Sequence, residues 1–353
     1  MQNIQIFYHN NINHVKDDWR HLFSQSHQSY FCSLEWHKIV LAFYKNTFLT
    51  KKTKKLIYFN VKIKSNDGSK IVGFFYATTI SKTKTIHFAH LLGPSDYYDF
   101  VYKDDISLTL IAATIKQIQK DHNATEIRFA HVKNTSKILD MFTDSVEFSK
   151  TALDCVAINL PEDYEIYLQS LSKSVKQNLR TAYNRMQKNN VVYNLIIKGQ
   201  DDYNKIDFNL LKNMYHERNA YRKESLNWKS KVYKKLDYLF RKDLDMFDCN
   251  QLKKTNFTLA ILEINGELAA YFFGFKRLNK IEINRVVINE VYKFYSPGML
   301  LFNEYIKVGI KDKLEIIDLT VGDEKYKFDL GGSVHQIFNI NNPLGVIISS
   351  KIN

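Results

Sequence analysis

The sequence predicts a mixed α/β (α+β) chain of two related domains, each a mixed, largely antiparallel sheet flanked by helices. Three observations carry this expectation. Helix-period segments alternate with period-2 and continuous apolar runs along the whole length. Each half passes through helices, a meander of strands, a further helix and a further strand, a weak internal echo. The composition is that of a packed protein, with 45% hydrophobic and 14% aromatic residues and only four prolines and twelve glycines to supply linkers. A length of 353 residues suits two domains, and the change of half places them at 1–158 and 159–353.

Taken in order, "NIQIFYH" reads as a strand, and "HVKDDWRHLFSQS" and "CSLEWHKIVLAFYKN" as helices. The runs "KLIYFNVKIK", "KIVGFFYATTI" and "TIHFAHLLG" are strands, with "SNDG" as a hairpin turn between the first two. "SLTLIAATIKQIQKDHN" is an amphipathic helix, and "EIRFAHV" and "ALDCVAINL" are strands around a short helix. The second half opens with two helices near 163–189, a strand at "VVYNLIIK" and helical stretches near 204–222 and 228–246. The strands "NFTLAILEIN", "ELAAYFFGFKRL" and "KIEINRVVINE" follow, with Asn265–Gly266 as a hairpin turn. A helix after "YSPG", the strand "LEIIDLT" and extended segments complete the chain.

Lysine and arginine exceed the acids by 50 to 37, a net charge of +13. That excess favours anionic partners, although a biased genome would produce it equally. Cys32, Cys155 and Cys249 are far apart, with no CxxC pair and no nearby histidine cluster, so neither a disulfide framework nor a metal site is expected. Neither a signal-peptide core nor a membrane-spanning run of about 18 apolar residues is expected, which points to a cytoplasmic protein, at most peripheral to the inner membrane face.

Four stretches can carry chemistry. In "YSPGMLLFNEYIKVGI", Ser296 is placed to cap a helix, Pro297 to start it, and Gly298 to leave the first-turn amides of Met299 and Leu300 open to an anion. The bland alternative is a well-started helix that binds nothing. In "LSKSVKQNLRTAYNRMQK", Leu171, Val175, Leu179 and Met186 form a core-facing stripe. The basic remainder, Arg180 included, is either an ordinary charged surface or a wall for an anionic acceptor; nothing indicates specific DNA binding or base stacking. In "MYHERNAYRKES", His216 and Glu217 are adjacent and do not share a helix face. Arg218 and Arg222, four residues apart, do share one and can grip an anion. In "VGDEKYKFDLGG", polar and charged residues follow the end of a strand at Asp318, either as a solvated turn or as a site.

The set "YSPGMLLFNEYI…IDLTVGDEKYKFDLG" resembles the C-terminal signature of the CelD/BcsL-like family of GNAT acetyltransferases, which is related to the tandem-GNAT FemA/FemB transferases. "YFCSLEWHKIVLAFYK", "LLGPSDYYDFVY" and the basic mid-chain helix resemble other segments of that family, so the likeness runs along most of the chain. It implies tandem GNAT-like domains, the first degenerate and structural, the second catalytic. It also implies acetyl-CoA or another acyl-CoA as co-substrate, without metal, and transfer of the acyl group to a primary amine. The acceptor class would be an amino sugar, nucleotide- or lipid-linked, in surface polysaccharide or glycolipid synthesis.

Carried over residue by residue, the strand containing Val286, Val287 and Ile288 would orient the thioester. Ser296, Gly298, Met299 and Leu300 would hold pyrophosphate, with "YSPG" where the best-known GNAT enzymes have Q/R-x-x-G-x-G/A. Asp318 or Glu324 would be the base and Tyr326 the acid for the leaving thiolate. Lys327, Arg180, Arg218, Arg222 and Arg285 would meet anionic substrate groups. Two alternatives stay open: a FemA/FemX-like transfer from aminoacyl-tRNA to a peptidoglycan precursor, and a non-catalytic scaffold of polysaccharide export.

Overall fold

The computed structural model describes residues 4–46, 56–64, 68–91, 95–142, 149–224 and 245–342. The expected turn at 65–68 and helix near 228–246 fall largely outside them. The chain divides into two units, Met1–Leu153 with Gln336–Asn353, and Asp154–His335. The residues from Gln336 onward thus group with the first unit, not with the 159–353 half expected from the sequence.

In unit 1, β1 (Gln5–His9), β2 (Leu56–Lys62), β3 (Ile71–Ile80) and β4 (Thr83–Phe88) are successive antiparallel neighbours, and β5 (Val101–Tyr102) adds to β3. Helices α1 (Lys16–Ser24) and α2 (Leu34–Asn46) lie between β1 and β2 in the sequence. Helix α3 (Leu108–Asp121) then crosses over to β6 (Glu126–Lys133), which runs parallel to β4. Its buried Leu110, Ile111, Thr114, Ile115 and Ile118 recur at helical spacing, and the Ser107 hydroxyl caps the Leu110 amide at 3.2 Å. After α4 (Lys137–Asp140), the last strand of this sheet is β13 (Ser333–Asn342), antiparallel to β6.

Unit 2 repeats the plan. Helices α5 (Tyr164–Ser170) and α6 (Lys173–Lys188) precede β8 (Tyr193–Lys198), and α7 (Phe208–Glu224) follows it. Strands β8, β9 (Phe257–Ile264), β10 (Glu267–Arg277) and β11 (Lys280–Ile288) are antiparallel neighbours. The β9–β10 turn is made by Asn265 and Gly266, both at positive φ (53° and 81°), which explains the Asn-Gly pair. Helix α8 (Pro297–Lys311) crosses over to β12 (Ile316–Val321), parallel to β11, and β7 (Ser149–Asn159) lies antiparallel on β12. The short helix α9 (Lys325–Asp329) follows.

Each unit has its own core. That of unit 1 is strongly aromatic, with Trp19, Phe59, Phe75, Phe88, Phe100 and Phe129 buried together. In unit 2, Val175, Leu179, Ala182 and Met186 of α6 pack with Leu300, Leu301 and Ile306 of α8 and Phe272 of β10. Apart from Ala182, side chains of this size contribute about 1.5–3 kcal/mol each on burial. Of the stripe read from the sequence, Val175, Leu179 and Met186 form the buried face of α6, while Leu171, also buried, caps the end of α5.

Candidate active site

The two parallel strand pairs differ in one respect that matters. In unit 1 the pairing of β4 with β6 continues to Phe88↔Phe129, at the end of β4, where the two rings stack at 4.7 Å. In unit 2 the register of β11 with β12 stops at Glu282↔Asp318, leaving residues 283–288 beyond it. The strands diverge there, opening a wedge toward their C-terminal ends. Amide direction alternates along an antiparallel strand. Asn289 donates its N–H to Ala269 O at 2.8 Å, so Val287 turns its amide to β10 while Val286 and Ile288 turn theirs to the wedge. The Arg218 guanidinium bonds the Val286 carbonyl.

Helix α8 begins beside this edge: a Cβ on Gly298 would meet Ile288 Cγ2 at 3.2 Å. Ser296 is not the cap the sequence predicts. It closes the 3-10 turn Glu290–Tyr295, and its amide bonds Lys293 O at 3.0 Å. It sits at φ 52°, and its side chain makes no capping bond to the helix. Pro297 has no N–H, which leaves the amides of Gly298 and Met299 uncapped at the positive end of the helix. Leu300 is a correction: its side chain is in the core and its amide bonds Ser296 O at 3.2 Å.

At the apex of the wedge lies a buried charge cluster. Lys280 Nζ is 2.8 Å from Glu282 Oε1 and 2.8 Å from Asp318 Oδ2, and His335 Nε2 is 3.8 Å from the same Asp318 oxygen. Burial alone would lower the Lys280 ammonium, but the two carboxylates hold it well above the usual lysine range. Asp318 Oδ1 also accepts the Thr320 amide at 3.0 Å, and the Thr320 hydroxyl donates to Ile283 O at 3.0 Å, tying the strands together where they part. Thr320 has φ 56°, an unfavourable region for a β-branched residue.

Other expected site residues are placed as follows. Lys327 is buried, and its ammonium donates to the carbonyls of Thr320, Val321 and Gly322 at 3.2, 2.8 and 3.2 Å, with Glu324 at 3.1 Å. Its donors are engaged by the chain itself, which corrects the phosphate role. Arg285 Nη1 donates to both oxygens of buried Asp245 at 3.0 and 2.8 Å, and its guanidinium lies 3.9 Å from the Tyr215 ring centroid; it too has a structural partner set. Glu324 is exposed in the loop after β12, and Tyr326 is half-buried against the unit 2 core. Arg180 is exposed on α6, and the Arg222 side chain lies outside the described residues. Sequence reasoning missed Lys280, Glu282, Thr320 and His335. The signal for the first two was visible in "KIEIN", charges at alternate positions of an otherwise apolar strand.

Residues 213–328, from within α7 to within α9, match the model of the family described as acetyltransferase (GNAT) domain. This stretch is a GNAT acetyltransferase domain. The protein is an acyltransferase by that match, and the wedge, the start of α8 and most of the apex cluster lie inside the GNAT domain. No curated protein matches the chain. Among solved structures it resembles a conserved Bacteroides thetaiotaomicron protein of unknown function, at 12% identity and TM-score 0.56, over 96% of this chain and 100% of the other. FemX aligns at 9% identity and TM-score 0.56, over 95% and 97%. The C-terminal domain of an Agrobacterium fabrum protein, provisionally described as a lysylphosphatidylglycerol synthetase, aligns at 9% and 0.55, over 94% and 92%. At these identities the likeness concerns the fold. Among the described residues no group of His, Cys, Asp or Glu forms a metal-holding set, and no helix is long and apolar enough to cross a membrane.

Proposed function

We propose that unit 2 is the catalytic domain and unit 1 a structural one, and that the reaction is transfer of an acyl group from acetyl-CoA or another acyl-CoA to a primary amine. The observation that carries this reading is the wedge between β11 and β12 facing the uncapped start of α8. The amides of Gly298 and Met299 suit a pyrophosphate, and those of Val286 and Ile288 suit a thioester carbonyl that gains negative charge as the amine attacks. Holding both reactants at one edge supplies rate through positioning. In unit 1 the stacked Phe88 and Phe129 and the Ser107 cap occupy the corresponding places.

For the base, both carboxylates have a lysine partner, but Glu324, 3.1 Å from Lys327, keeps solvent access, whereas Asp318 is buried and engaged by Lys280 and the Thr320 amide. We assign to Glu324 acceptance of the proton that the amine gives up as it attacks, and to Asp318 electrostatic support of the positive charge that forms on that nitrogen. Tyr326, on the helix after the loop, is the donor to the leaving thiolate. The acceptor class is an amino sugar of surface polysaccharide or glycolipid synthesis, as in the CelD/BcsL-like family whose motifs the chain resembles.

Titration with acetyl-CoA by calorimetry tests the donor. The expected result is micromolar binding, lost in Gly298→Glu, whose carboxylate would stand where the phosphates lie. The rival donor, aminoacyl-tRNA, is favoured by the +13 charge. It would prevail if acetyl-CoA left no heat and aminoacyl-tRNA were consumed; indifference to both would rule out both donors.

A further inference from the structure

The 3-10 turn Glu290–Tyr295 is fixed on several sides. The Asn289 side chain accepts the Val291 amide at 3.1 Å, the Tyr292 hydroxyl donates to Glu267 at 2.5 Å, Arg185 donates to Phe294 O at 2.8 Å, and Asn189 donates to the Tyr295 hydroxyl at 3.0 Å. Yet two of its apolar side chains stand in water, Val291 at 82% exposure and Phe294 at 55%. Val192, 72% exposed, joins them at the same end of the unit 2 sheet, because it exchanges backbone and side-chain bonds with Asn265 of the β9–β10 turn. The bonds that fix the turn hold these side chains exposed.

Basic groups surround these tips. The Arg185 guanidinium lies 4.4 Å from the Phe294 ring centroid, Lys188 follows one helical turn later, and Lys293 sits between the two apolar residues. Two acids lie nearby, Glu290 in a loose surface pair with Lys293 at 3.9 Å and Glu267 accepting the Tyr292 hydroxyl, so Arg185, Lys188 and Lys293 exceed them in charge. Three protruding apolar side chains are too few for a stable protein interface, which takes about 800 Å² from each partner. Apolar tips among lysine and arginine suit an interface of acyl chains beneath anionic headgroups.

We propose that this end of unit 2, formed by Val192, Val291 and Phe294 with Arg185, Lys188 and Lys293, docks the protein on an anionic membrane surface. The tips enter the headgroup boundary while the basic side chains meet lipid phosphates, and the chain's net charge of +13 adds long-range attraction. The surface is independent of the acyl-CoA reading, since binding requires neither donor nor acceptor.

The test is co-sedimentation of the full chain with phosphatidylcholine vesicles, with and without phosphatidylglycerol, and without any acyl donor. Binding is expected only with phosphatidylglycerol, and weakened by salt. Lys188→Gln and Lys293→Gln should each weaken it about fivefold. Val291→Asp with Phe294→Asp should weaken it at least about tenfold, with an unchanged melting temperature because both sites are exposed. In Phe294→Trp, addition of anionic vesicles should shift the tryptophan emission to the blue. The proposal is overturned by no sedimentation with anionic vesicles, by undiminished binding of the double aspartate variant, or by emission that stays unchanged. It is overturned equally if light scattering reveals a dimer that this variant abolishes, since the surface would then serve a second copy of the chain.

Discussion

Lys327 illustrates how residue type and environment part company. In the sequence it is one of several charges in a polar loop; in the fold its ammonium is buried and satisfies three main-chain carbonyls at the end of β12, those of Thr320, Val321 and Gly322. Removing a partner from buried polar groups leaves their desolvation uncompensated. Lys327→Met is therefore expected to cost about 2–4 kcal/mol in urea denaturation, while acetyl-CoA affinity of the folded variant stays within about threefold of wild type. A variant of normal stability that loses acetyl-CoA would return Lys327 to the substrate. Gly322 beside it is required for a different reason: its φ is +114°, and a Cβ would lie 2.5 Å from Glu324 Oε2.

At the scale of elements, the bulge at Thr320 lies where the pairing of β11 with β12 ends and the wedge begins. The β12–β7 register shifts between Asp318 and Val321, and Thr320 takes a left-handed conformation that bonds Ile283 across the parting strands. Thr320→Val keeps the shape and the strain but orphans the Ile283 carbonyl, so a loss of about 1–2 kcal/mol is expected. Thr320→Gly relieves the strain and should lose less, which paired denaturation curves would read directly. If both variants lost the same amount, the positive φ would carry no strain worth relieving. Such a bulge has no mark in "LEIIDLT", whereas most strands and helices did, because apolar period follows from burial alone. Asn265–Gly266 was legible since its conformation demands those residues. Ser296 was not, because a serine before proline reads as a cap, and only the preceding 3-10 turn carries it to φ 52°. Arg285 was misread for a similar reason: its partner, Asp245, is far away in sequence.

At the scale of the whole molecule, the two units share one plan, and the core of unit 1 carries a pH dependence of its own. His37 and His90 lie in that core, their ring centroids 4.2 and 5.3 Å from that of Phe74. Burial drives His37 well below the usual histidine range, with His90 adding to it, and pushes His90 down to about 4, with His131 adding. Both are thus neutral in the fold. As pH falls through 6.5 the unfolded chain gains protons that the folded chain refuses, so stability is lost until about pH 4. Asp99 in the same unit acts oppositely: burial raises its carboxyl to about 7, so the folded chain keeps a proton that the unfolded chain gives up as pH rises from about 4. The two trends cross in one window and flatten the total, which is why the total is the wrong quantity to measure. The difference in unfolding free energy between wild type and His90→Gln isolates the histidine. It should shrink by up to about 3 kcal/mol between pH 7.5 and pH 4, on the basis of a pKa lowered from 6.5 to about 4. Asp99→Asn should give the opposite slope over the same range. A His90 difference that stayed constant across that range would mean that the imidazole titrates in the fold as it does in water, and that the core around it is open.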